Sequence, residues 1–155
     1  MKPERKIRAT IKTDGVAKHR HNIYAEVMSK VNEATKGGFY LEAITLLESI
    51  IADRLESLCN QKSQSNNNAF ECLGQLIKTA RQYPLSETWF DVLNELEEWR
   101  EQRNDALHQM AKIEEGDFSS FEERYETYKL SAINGKKLFR KIDNEIRKYR
   151  RAHKS

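Results

Sequence analysis

A chain of 155 residues has the length of one domain and is long enough to bury its own core. Its hydrophobic share of 38% and charged share of 33%, with only 6 Gly and 2 Pro, exclude a collagen-like or low-complexity chain and argue against a many-turned β sandwich. No apolar run approaches the ~18 residues of a membrane-spanning helix, and the net charge of +3 hides a segregation: residues 1–21 carry +5, residues 136–155 carry +7, and the body between them is acidic at −9.

Apolar residues recur at helical spacing, and no period-2 strand stands out. Residues 1–21 read as a basic tail ahead of the folded body. A first helix is predicted over 22–36, with Ile23, Val27, Val31 and Ala34 on one stripe, ended by Gly37-Gly38. A second, over 39–60, carries Ile44, Leu47, Ile51, Leu55 and Leu58 at alternating steps of three and four. The polar run from Lys62 to Asn68 is a loop, and Asn68 is placed to cap a third helix over 69–82 with Phe70, Leu73, Leu76, Ile77 and Ala80, stopped before Pro84. Ser86 is the expected N-cap of a fourth helix, with Glu87 beside its positive end and a stripe of Trp89, Val92, Leu96 and Trp99. After a break at Gly116, Ser119-Ser120-Phe121-Glu122 reads as a capping box for a fifth helix. Its stripe runs from Phe118 and Phe121 through Tyr128 and Phe139 to Tyr149, either as one long helix or as two that break near Asn134-Gly135. Five helices with short connections predict an all-α fold, an antiparallel helical bundle over 22–150, with a second short basic tail at 151–155.

Cys59 and Cys72 are too few for a disulfide framework and have no histidine near them at zinc-ligand spacing. Both are expected as free thiols in the cytoplasm, in keeping with an amino-terminal segment that lacks the apolar stretch of a signal peptide. His19 and His21 flank Arg20 in the basic tail with no Cys or carboxylate beside them, and no metal or cofactor is expected. The basic ends read either as surfaces that attract phosphate backbones or as a solvated tail and an exposed helix face.

One position breaks the helical pattern. The next residue in phase after Leu96 and Trp99 is Arg103, a guanidinium where a leucine is expected, and such a charge is costly unless paired or set in a cleft. Asn104 and His108 follow at i and i+4, stacked on one helix face, with Arg103 about 100° to one side of Asn104. Histidine moves protons near neutral pH, arginine presents a fork of donors suited to phosphate oxygens, and asparagine orients either. The set suits phosphoryl chemistry on an anionic substrate and lacks the carboxylates and second histidine of a metal site. Glu48, at the edge of the second helix's stripe, is a candidate partner for Arg103, as are Asp53 and the acids of Arg103's own helix, and Asp105 either faces solvent or tunes His108.

The segment Arg103-Asn104-Asp105-Ala106-Leu107-His108 resembles the hallmark of the HEPN family, an arginine followed after four to six residues by a histidine, often with a polar residue directly after the arginine. The resemblance extends to an all-helical layout with the motif late in the chain and to the helix that opens Gly38-Phe39-Tyr40-Leu41-Glu42-Ala43, and it spans about residues 22–150. Arg147 and His153 also fit the spacing, but sit at the chain end without the polar second residue. The resemblance implies a metal-independent endoribonuclease, acting as a toxin or antiviral defence effector. The motifs of two chains would meet at a homodimer interface and cleave RNA by 2′-hydroxyl attack, with Arg103 as phosphate stabiliser, His108 as acid/base and Asn104 as orienter. An antitoxin or a larger defence assembly is an implied partner. Some members are silenced by modification of a tyrosine two residues after the histidine; Met110 stands there. Two rivals are a non-catalytic HEPN-like module that binds RNA, a nucleotide or a protein, and a bundle that only docks a partner chain.

Overall fold

The computed structural model describes residues 14–63 and 71–153. The stripe of the second helix is its deepest feature: Ile44, Leu47, Ile51, Leu55 and Leu58 are fully buried on α2 (Tyr40–Ser63). From Arg54 to Cys59 every residue is buried, charged ones included, so this stretch of α2 is covered on all sides. α2 packs against α1 (Asp14–Gly37), α3 (Leu73–Ala80) and α5 (Phe121–Ala152), and α4 (Trp89–Gln109) packs on α3 and α5. Among the described residues there are five α-helices and no strand, the all-α bundle that the periodicity predicts.

Cross-links between helices define their directions. Arg20 of α1 meets Asp53 of α2, while the near ends of the two helices join through Gly38, so they run antiparallel. Thr88 reaches Glu145, and the Trp99 indole donates to the Ser131 carbonyl, so α4 and α5 also run antiparallel. α2 and α5 run parallel: Tyr125 accepts from the Tyr40 amide at one end, and Asp143 meets Arg54 at the other. The α1–α2 corner is closed by glycine chemistry. Gly38 has φ +83, and the amides of Gly38 and Phe39 bond back to Thr35 and Ala34, satisfying carbonyls that the helix end leaves open.

Local signals were shifted in several places. α1 begins at Asp14, so residues 14–21 are helical, and Tyr24, not Ile23, faces the core, at 8% against 40% exposure. α3 starts at Leu73 with Cys72 in the N-cap position; Asn68 and Phe70 lie outside the described residues. At α4 the N-cap position is Thr88, and the hydroxyls of Ser86 and Thr88 both donate to Glu145 of α5 instead of capping. The capping box of α5 is Ser120 with Glu123, one residue later than Ser119 with Glu122. Phe118 and Phe121 are exposed, so the buried stripe of α5 begins further along, at Tyr128.

α5 does not break at Asn134-Gly135 but runs unbroken for 32 residues. Gly135 lets the buried Trp99 ring lie on the helix backbone: a Cβ there would stand 2.8 Å from Trp99 Cζ2. Gly135→Ala is therefore expected to destabilise the fold by about 1–3 kcal/mol through overpacking, a fall of roughly 2–4 °C per kcal/mol in a thermal melt. Gly15→Ala, where nothing lies within 4 Å, should leave the midpoint unchanged or raise it. An unchanged melt for Gly135→Ala would contradict this α4–α5 contact.

Candidate functional site

Arg103 sits one turn beyond Trp99 on the inward face of α4, and its side chain is only 15% exposed. Its partner is Glu48 of α2, whose carboxylate accepts a hydrogen bond from Arg103 Nη2. Arg103 Nε is buried without a hydrogen bond. A guanidinium has five N–H donors, so one contact to Glu48 leaves others unspent.

α2, the segment entering α3, and α4 enclose a groove of about 570 Å³, lined by Glu48, Ser49, Cys72, Arg100, Arg103 and Asn104 among others. That volume lies in the range of small-molecule sites. Arg100 is held by Glu97, with Nη2 2.5 Å from Oε1. The Arg100 hydrogen bond keeps the Glu97 carboxyl below its ordinary range, and Glu97 in turn raises Arg100.

Three side-chain hydrogen bonds anchor α4 under this groove. The Trp89 indole donates to the Ala80 carbonyl (3.2 Å), satisfying a carbonyl at the end of α3. The Trp99 indole donates to Ser131 (2.8 Å), and the Tyr128 hydroxyl donates to the carbonyl of Ala106 (3.1 Å), within the Arg103–His108 segment. The α4–α5 connection is tied by Arg124, whose Nε donates to Ser119 Oγ at 3.0 Å and whose Nη1 donates to the Lys112 carbonyl.

The structure thus brings Arg103, Asn104 and Glu48 to one groove, and leaves His108 and Asp105 outside it. His108 is exposed near the end of α4, on the Asn104 face and about 140° around the helix from Arg103. Asp105 lines a separate hollow with Lys112, Asp117 and Arg124. Exposed apolar side chains cluster in sequence around His108: Leu107 on α4, then Ile113, Phe118 and Phe121. Met110 is half-buried against the core. Among the described residues, no group of three or more His, Cys, Asp or Glu side chains is placed to hold a metal ion, and no helix is long and apolar enough to cross a membrane.

Comparison with protein-family models, with curated proteins and with solved structures finds no match to this chain.

Arg100, Ser49 and Cys72 line the groove and were not evident from the sequence. Arg100 lies three residues before Arg103, on the same side of α4, and that spacing was the available signal. Cys72 arrives from a segment with no local signature. It is exposed, whereas burial, aided by the charges of Glu71 and Glu56, pushes the Cys59 thiol up to about 12. A thiol reagent near pH 8 should therefore modify Cys72 of the native protein and reach Cys59 only in denaturant; equal labelling would contradict the packing of α2.

The Glu48–Arg103 contact should also show as coupling. In a double-mutant cycle, Glu48→Ala and Arg103→Ala are expected to interact by about 1–3 kcal/mol, because either single change strands a half-buried partner charge. Additive stabilities by denaturant titration would show that the contact contributes nothing.

Proposed function

We propose that this chain is a metal-independent endoribonuclease of the HEPN type, working as a homodimer. The observation that carries the reading is the setting of Arg103: a guanidinium held by Glu48 in a groove beside Asn104, with an exposed histidine four residues past Asn104 on the same anchored helix. In one protomer Arg103 and His108 face different sides of α4. A twofold brings a second copy of each into play, so the working set comes from two chains. Leu107, beside His108 in the chain, and Ile113, Phe118 and Phe121 a little further along supply exposed apolar surface for that contact.

In such a site an imidazole accepts the proton of a ribose 2′-hydroxyl, whose oxygen attacks the adjacent phosphorus. A bond from O2′ to phosphorus forms, the bond to O5′ breaks, and a proton is delivered to O5′. Arg103 neutralises the charge that builds on the phosphoryl oxygens, and Asn104 orients them. The products are a 2′,3′-cyclic phosphate and a 5′-hydroxyl. The resemblance to the HEPN family points to a cellular role as a toxin or defence effector. Met110 stands where some such proteins carry the tyrosine by which they are silenced, which argues against that form of control and leaves an antitoxin or a larger defence assembly as the restraint.

A second reading is a non-catalytic module that binds RNA through its basic ends. It is favoured by one observation: Arg103 is paired with Glu48 within a single protomer, with His108 uninvolved.

Purified protein incubated with total RNA in a chelator separates the two. Wild type is expected to yield discrete fragments with cyclic phosphate ends. His108→Ala and Arg103→Ala should each slow cleavage by about 10²–10⁴-fold while remaining folded. Wild-type cleavage by both variants would overturn the enzyme reading. Salt-sensitive RNA retention without cleavage by wild type would favour the second.

A further inference from the structure

A second concave site lies on another face of α2. Glu48 and Arg54 are six residues apart, about 120° around the helix axis. Where Glu48 faces the Arg103 groove, Arg54 faces a cleft between α1, α2 and α5. The cleft holds about 140 Å³ and is lined by Arg20, Tyr24, Arg54, Asp143, Arg147 and Arg150 together with His21.

The charge there does not balance. Among the described residues, four guanidinium groups meet two carboxylates, and each carboxylate is already shared. Asp53 Oδ2 accepts both from Arg20 Nε at 2.9 Å and from the Tyr24 hydroxyl at 2.5 Å. Asp143 faces Arg54 Nε at 2.9 Å and Arg147 Nε at 2.8 Å. Among the described residues, Arg150 donates hydrogen bonds only to neutral groups, Gln61 at 3.0 Å and Ser57 at 3.0 Å. Arg20 Nη1 is buried with no hydrogen-bond partner. The Arg54 side chain is 8% exposed, and its Nε contact to Asp143 lacks hydrogen-bond geometry.

Burial lowers Arg54, and burial together with repulsion from Arg54 and Arg20 lowers Arg150 to about 10. Burial and the neighbouring Asp53 raise Tyr24, which therefore stays protonated and keeps donating. Like charges gathered in a partly dry cleft are costly unless an anion answers them. The space is below that of drug-sized ligand sites, too small for a nucleoside but suited to one tetrahedral oxyanion.

We propose that this cleft is a phosphate site, in which Arg20, Arg54, Arg147 and Arg150 hold a single phosphoryl group. The bound group is either a backbone phosphate of RNA or a free phosphate or phosphomonoester. The site is separate from Arg103 and His108 and does not rest on the ribonuclease reading.

The test uses the full chain, with Arg147→Ala and Arg150→Gln singly and together. Arg147 is 47% exposed, so its replacement leaves the core intact. Arg54, buried under the cleft, is left alone. Orthophosphate at millimolar concentration is expected to raise the wild-type unfolding midpoint by a few degrees over chloride of equal ionic strength. The double variant should lose that rise, and His108→Ala should keep it, so the two readings fail separately.

A labelled oligoribonucleotide, followed by fluorescence anisotropy in a His108→Ala background, identifies the source. An affinity loss of about fivefold or more in the double variant, exceeding that of the equally charged surface control Lys129→Ala/Lys137→Ala, points to an RNA phosphate. Loss of the phosphate rise with unchanged RNA affinity points to a free phosphate. If wild type shows no rise specific to phosphate, and the double variant binds RNA no worse than the control, the proposal is overturned.

Discussion

A helix packed on most of its faces leaves its inward charges little water, so those charges are answered from other helices. α2 is that helix here. Glu48 is met by Arg103 of α4, Asp53 by Arg20 and Tyr24 of α1, and Arg54 by Asp143 of α5. An apolar stripe such as Ile44 to Leu58 tolerates repacking, but a stranded buried charge costs about 3–5 kcal/mol. Sliding any of the three neighbours by one turn, about 5.4 Å, would strand one of the three. The hydrophobic face of α2 thus drives collapse, and its charges select the register in which the bundle closes.

The same constraint makes both concave sites. Bringing Arg103 down to Glu48 opens the groove that also receives Arg100, Asn104 and Cys72. Bringing Arg20, Arg147 and Arg150 around Asp53, Arg54 and Asp143 makes the arginine cleft on another side of the helix. In the groove each arginine has its own glutamate, Glu97 for Arg100 and Glu48 for Arg103, which fixes the orientation of the guanidinium. In the cleft the arginines outnumber the acids, which favours resident binding of an anion. The anchors from Trp99 and Tyr128 matter for the first site because they fix the turns of α4 that carry Arg103 and His108.

What the sequence made legible was whatever a single helix determines by itself. The α2 stripe, the stop at Gly38, the Trp89–Trp99 face and the anomaly at Arg103 all follow from spacing of three and four. Glu48 was legible as a partner because it borders the one stripe that had to be buried. Features set by distant residues were not. Residues 14–21 hold little apolar pattern, so nothing local marked them as helical; their anchor is Arg20 to Asp53, thirty-three positions away. Ser86 looks like a cap until Glu145 claims its hydroxyl across the bundle. Gly135 suggested a break, yet its missing side chain makes room for Trp99. The separation of Arg103 and His108, by contrast, was legible, because five residues on one helix set them about 140° apart.

That separation is the sharpest consequence of the fold for the proposed chemistry, and subunit mixing tests it directly. Arg103→Ala and His108→Ala proteins, each folded, dimeric and inactive, would be combined under conditions that exchange subunits, and RNA cleavage followed. A site built from two chains predicts that the mixture regains a clear fraction of wild-type cleavage, because mixed dimers hold an intact arginine from one protomer and an intact histidine from the other. A mixture that exchanges subunits yet stays as inactive as its parts would contradict it.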